Sequence, residues 1–153
     1  MVRKTLHNKY FFDEIKVRIS NLSADSEKKW GQMNAAQMLH HCDLVLQVPL
    51  QNIKLPQINP VFKAIGILTK KEMQIFNNGI PHNMPTFQKL IVNFECSFEE
   101  TRNKLLKTLD LYWEAFEKER LPKEHVLFGT MKNKDWGFLE YKHLNHHLKQ
   151  FNV

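Results

Sequence analysis

Five of the chain's eight histidines fall in two short clusters, His40-His41 and His143, His146, His147. His143 and His147 are four residues apart, so on a helix their side chains stand one turn apart on the same face. Two imidazoles at that spacing can converge on one metal ion. His146 offers an i,i+3 alternative with His143, and periodicity alone does not choose between them. His40 and His41 lie about 100° apart around a helix, so only one of them points inward. Three neutral imidazoles on one ion leave a fourth position for water, the pattern of a catalytic zinc-type site. Imidazole also suits nickel, copper and iron. The competing readings are hydrogen-bonded core histidines and an exposed, pH-sensitive C-terminal patch. Burying three imidazoles with unmet hydrogen bonds costs on the order of 1–3 kcal/mol each, and a shared ion removes that cost.

Helices must position these groups. Leu6, Tyr10, Ile15 and Ile19 recur at helical intervals, which predicts a first helix over residues 5–21. Asn34 followed by Gln37 reads as a capping box that opens a second helix from Ala35 to Val48, stopped by Pro49. Met38, His41, Val45 and Val48 form its apolar stripe. Residues 51–87 are the least regular stretch: a helix over 60–72 can begin at Pro60, and 77–85 is loop by composition. Ser97 and Glu100 form a second capping box, opening a helix to about Arg120 with Leu105, Leu109, Tyr112 and Phe116 on one face. Asn133 is the expected cap of a last helix, where Trp136, Leu139, His143, His147 and Gln150 share a face. The amphipathic pattern thus carries imidazoles toward the core.

Composition narrows the class. A length of 153 residues suits one domain, 1–153, and 42% hydrophobic with 25% charged residues is ordinary for a globular protein. Only 5 Gly and 6 Pro argue against a turn-rich all-β fold. The net charge of +6 is spread along the chain and accompanies no nucleic-acid motif, so it reads as a solvated basic surface. Cys42 and Cys96 have no CxxC spacing and are expected to be reduced thiols in the cytoplasm. The N-terminal segment lacks the apolar core of a signal peptide, and no run is long enough to span a membrane.

Several segments together resemble the DinB/YfiT-like metalloenzyme superfamily, in a branch known only as a domain of unknown function. They are Trp30 to Cys42 (WGQMNAAQMLHHC), Leu127-Phe128-Gly129, Trp136-Gly137, and Tyr141 to Phe151 (YKHLNHHLKQF). The resemblance runs from about Trp30 to the C-terminus, and HxxHHxxQ with the upstream QMLxHC is its most specific part. It implies an all-α four-helix bundle, with an irregular crossover between the second and third main helices. It also implies a histidine triad of His41, His143 and His147 on a divalent ion, zinc or nickel first. The triad's selection of His41 over His40 and of His147 over His146 comes from the resemblance.

The expected function is that of a metal-dependent enzyme, a hydrolase or a thiol S-transferase, acting on a small-molecule substrate. The alternative is a non-catalytic metal-binding or protein-interaction bundle. A homodimer is compatible with either, whereas a membrane or nucleic-acid partner is not expected. Asp43 and Glu140 are candidates for a general base, or else solvated helix residues. Gln150 either faces the same cavity as the histidines or is a helix-end polar residue. Trp30 and Trp136 read as packing residues. His40 and His146 are expected at the rim or as hydrogen-bonding partners of the ligands. Cys42, next to His41, points to another face and is not a ligand.

Overall fold

The computed structural model describes residues 3–153. Among the described residues, five α-helices and one 3-10 turn make up 55%, and the one sheet is a hairpin of two-residue strands, so the fold is all-α. The helices are α1 (Lys9–Ser20), α2 (Ala35–Gln47), α3 (Pro60–Phe76), α4 (Phe98–Glu117) and α5 (Asn133–Gln150). The strands β1 (Glu124–His125) and β2 (Gly129–Thr130) pair antiparallel just before α5. That hairpin lies between α4 and α5, a stretch to which the sequence reading assigns no element. Among the described residues no helix is long and apolar enough to cross a membrane.

Local chemistry sets the helix ends. The Asn34 side chain accepts from the Gln37 amide at 2.9 Å, and the Gln37 side chain accepts from the Asn34 amide at 3.0 Å. The expected capping box of α2 is therefore complete. Asn8 caps α1, which begins four residues later than the periodicity suggests. Tyr10, placed on its apolar stripe from sequence, is 74% exposed, and Phe12 is buried in its stead. Asn59 caps α3 and Pro60 occupies its first position, as expected, but the helix runs on to Phe76. Ser97 caps α4 by accepting from the Glu100 amide. At α5 the cap is Lys132, not Asn133: the Asp135 carboxylate accepts from the Lys132 amide at 2.9 Å and from Gln74 Nε2 at 2.9 Å. A carboxylate in the first helical turn also suits the positive end of the helix dipole.

The main packing is α2 along α4, with α5 against α2 and α1 against both α4 and α5. Leu6, Ile15, Ile19, Met38, Leu39, Leu46, Leu105, Leu109, Leu144 and Leu148 are fully buried among them. A polar clamp locks α2 to α4. Asp43 is fully buried, and its Oδ1 accepts from Thr108 Oγ1 at 2.6 Å and Gln47 Nε2 at 3.2 Å. Lys104 Nζ sits 3.1 Å from Oδ2. Partners of this kind let a carboxylate survive burial. Trp136 is a core residue, 2% exposed, donating from Nε1 to the Pro122 carbonyl at 2.7 Å.

The segment before α1 crosses α5 at Gly137, whose carbonyl accepts from the Leu6 amide at 2.9 Å. His7 stacks on Phe116 with 3.7 Å between ring centroids and shares a hydrogen bond with Tyr112 Oη at 2.9 Å. A Cβ on Gly137 would lie 2.5 Å from His7 Cγ and 2.5 Å from Thr5 Oγ1. Withdrawal of the ring would break its stack on Phe116 and its hydrogen bond to Tyr112. Gly137→Ala gains about 1 kcal/mol of helix propensity and loses about 1–3 kcal/mol to overpacking. Thermal denaturation is expected to show a lower Tm for Gly137→Ala than for the wild type, and a raised Tm would refute this account of the crossing.

Candidate metal centre

The contact of α2 with α5 brings His41, His143 and His147 together. One ring nitrogen from each lies within 4.8 Å of the others, and among the described residues no other His, Cys, Asp or Glu joins the group. Ring centroids are 5.1 Å apart for His41 and His143, 4.9 Å for His41 and His147, and 4.7 Å for His143 and His147. The rings form a nearly equilateral triangle. Tetrahedral bonds of 2.0–2.1 Å would separate the nitrogens by about 3.4 Å, so side-chain adjustments of roughly 1 Å suffice to close the set on an ion. His41 and His147 are buried and His143 is half-buried.

Hydrogen bonds determine where the ring protons sit. His41 Nδ1 is 2.7 Å from the Leu90 carbonyl, which can only accept, so His41 carries its proton on Nδ1. His147 Nδ1 is 3.0 Å from Gln150 Oε1, while Gln150 Nε2 donates to the Trp30 carbonyl at 2.6 Å. The amide is thereby oriented, and His147 also carries its proton on Nδ1. The Nε2 of each ring then carries a lone pair and no proton. His143 Nε2 lies 3.1 Å from His41 Nε2 and donates to it, which leaves His143 Nδ1 buried without a partner.

The electrostatics keep the cluster neutral. Burial, then the neighbouring His41, lowers His147 to about 3. Burial and the three surrounding histidines hold His143 well below the ordinary range. Burial also lowers His41, with the Leu90 hydrogen bond opposing it. Neutral imidazole is the form that donates a lone pair to a cation.

The other sequence candidates fall elsewhere. His40 turns toward Phe94, with 5.7 Å between centroids, and His146 lies against Trp30 and His82. Neither joins the triad. Trp30 is half-buried and stacks on His82 at 3.9 Å, so it is less a core residue than the sequence reading expects. Trp30, His82 and His146, with Lys4, Lys142 and Lys149, line a cavity of about 450 Å³ that none of the triad histidines lines. Asp43 is committed to the α2–α4 clamp. Glu140 is 5% exposed, its Oε2 has no partner, and burial pushes it up to about 8. Its charge bears on Cys42 and Tyr112. Cys42 is a buried free thiol, pushed up by burial first, and is no part of the triad.

Gln150 is a buried positioning residue for His147, and Gly31 makes its approach feasible. Gly31 has φ +80°, and a Cβ there would lie 2.3 Å from Gln150 Nε2. The Leu90 carbonyl had no sequence signal at all, because a backbone acceptor is not encoded by residue type.

Two opposite pH effects on stability follow. The cluster histidines are lowered on folding, so below about pH 6.5 the unfolded chain takes up protons that the folded one refuses. Stability is full above that value and falls with acidification, by up to about 1.4 kcal/mol per pH unit for each histidine, until the folded values are reached. Glu140 is raised, so its contribution is full below pH 4.5 and is lost as pH climbs toward 8. Denaturant titrations of metal-free protein should therefore show a decline from pH 6.5 to 4.5. Glu140→Gln should stabilise by about 1–3 kcal/mol at pH 8 and leave stability at pH 4 nearly unchanged. An equal effect at both pH values would rule out a carboxyl that is costly to ionise.

Comparison with protein-family models, with curated proteins and with solved structures finds no match for the chain.

Proposed function

We propose that the chain is a divalent-metal protein of the DinB/YfiT-like type, in which α1, α2, α4 and α5 are the bundle helices and α3 lies in the crossover. His41, His143 and His147 hold the ion, zinc or nickel, and a fourth position stays open. The observation that carries this reading is the proton placement. Leu90 O and Gln150 Oε1 each fix an Nδ1 proton, so His41 and His147 both hold an Nε2 lone pair, His41's taken up only by the neighbouring His143 ring, within one group of three ring nitrogens. Outer partners that orient ligating histidines in this way are a regular feature of metal sites. The donor set fits, since three neutral nitrogens suit a borderline divalent ion. The unpartnered Nδ1 of His143 fits too, because that ring can move its proton from Nε2 to Nδ1 and offer its own Nε2.

Lewis acidity toward a water or a thiol is what such an ion supplies when bound, and this supports a hydrolase or thiol S-transferase. The chain's own residues supply the rest. The Trp30–Gln150–His147 chain of hydrogen bonds holds the ligand ring. The buried surroundings limit water access. The lysine-lined cavity at His146, which none of the three triad histidines lines, offers a small anionic molecule a place near the end of α5.

Elemental analysis of protein purified without chelators tests the assignment. About one zinc or nickel ion per chain is expected in the wild type, and a small fraction of that in His143→Ala and His147→Ala. Gln150→Leu should retain binding but weaken it by about 10–100-fold in a chelator competition, as losses of orienting partners do. Equal metal content in the wild type and both alanine variants would overturn the site.

A further inference from the structure

The outer face of α3 is the largest unexplained feature of the molecule. Its inner face is anchored: Lys70 Nζ donates to the Thr130 carbonyl at 2.5 Å, and a Cβ on Gly66 would collide with Leu127. The opposite face carries Val61, Phe62, Ile65, Leu68, Ile75 and Phe76, each between 53% and 68% exposed. Their spacing follows one helical stripe. At 150–250 Å² for a whole aromatic side chain and somewhat less for an aliphatic one, the six expose roughly 700 Å². The largest apolar patch on a typical monomer is about 300–600 Å². A standard interface buries about 800 Å² per partner, so this stripe is close to one half of a stable dimer.

We propose that two copies of the chain associate through this face, with the two α3 helices antiparallel about a twofold axis near Leu68 and Thr69. The two ends of the stripe are self-complementary in that arrangement. Val61 falls opposite Phe76 of the partner subunit, Phe62 opposite Ile75 of the partner subunit, and Leu68 opposite Thr69 of the partner subunit. Ile65 falls opposite Glu72 of the partner subunit, so four of the six apolar positions pair with one another, at the two ends of the isologous contact. Charge favours this occupant over an anionic surface. The exposed face carries one cation, Lys71, and one anion, Glu72, on a chain whose net charge is +6. A membrane-binding helix needs a polar face rich in exposed Lys and Arg, whereas in α3 Lys63 is half-buried, Lys70 is buried against Thr130 and only Lys71 is exposed, next to Glu72. The pairing does not depend on the metal reading and is tested separately from it.

Sedimentation velocity on the full chain should show a dimer at about 100 µM, dissociating with a micromolar or smaller constant. Leu68 is exposed, so Leu68→Glu and Leu68→Lys should leave the protomer fold intact, which circular dichroism and Tm report. Each variant alone should be monomeric, its dissociation constant raised at least about 100-fold by two like charges at the axis. An equimolar mixture of the two should dimerise again, which a contact away from Leu68 would not produce. A monomeric wild type at about 100 µM overturns the proposal, whether or not it pellets with phosphatidylcholine–phosphatidylglycerol vesicles. A Leu68→Glu variant that stays dimeric also overturns it.

Discussion

Three imidazoles packed against one another out of water must settle where their protons go, and much of the site's architecture answers that demand. A carbonyl at Leu90 and an amide oxygen at Gln150 each take one Nδ1 proton. The third ring is left with a proton on Nε2, given to His41, and a bare Nδ1 that meets nothing. An unmet buried acceptor costs on the order of 1–3 kcal/mol. A well-packed apolar centre would avoid that cost, so its persistence marks a place where the fold serves something other than stability.

The scaffold fixes these rings through contacts some distance away. His41 precedes Cys42 and Asp43 on α2, and the buried Asp43 clamp to Thr108 sets the rotation of α2 about its axis. That rotation turns His41 toward α5 and leaves His40 outside. On α5, Gln150 reaches the Trp30 carbonyl only because Gly31 has no Cβ. The Lys29 amide also donates to the Gln150 carbonyl at 2.8 Å. The segment before α2 and the end of α5 are thus stapled together where the triad forms.

How much of this was legible in the sequence depended on the kind of signal. Caps and stripes that act within one helix were readable, as at Asn34, Gln37, Pro60 and Ser97. Helix α5 shows where that ends. Its residues from Asp135 to Tyr141 are all buried, because it is covered on several sides, so the stripe through Trp136 and His147 described only part of its environment. Tyr10 shows the opposite error, since an apolar spacing match cannot tell an exposed ring from a buried one. The Leu90 carbonyl and the exposed outer face of α3 depend on tertiary placement. Spacing located the histidines on their helices, and the choice among them needed either the resemblance or the contact of α2 with α5.

Helix α5 carries four buried polar side chains, Asp135, Glu140, His147 and Gln150, beside the half-buried His143, and they differ in how they are satisfied. Asp135 caps its own helix and bonds Gln74, and Gln150 bonds two partners. Glu140 and His143 each keep an unpartnered atom. Their environments differ. Glu140 faces Cys42 and Tyr112, groups that stay neutral, and it relieves its burial by holding a proton. His143 gains nothing from a second proton, because His147, His41 and His146 surround it and oppose any positive charge. A proton on each ring would add repulsion among three sites, whereas one divalent ion shared by all three adds none between them. That asymmetry, more than the spacing of the histidines, is why a shared cation is the economical partner for this cluster.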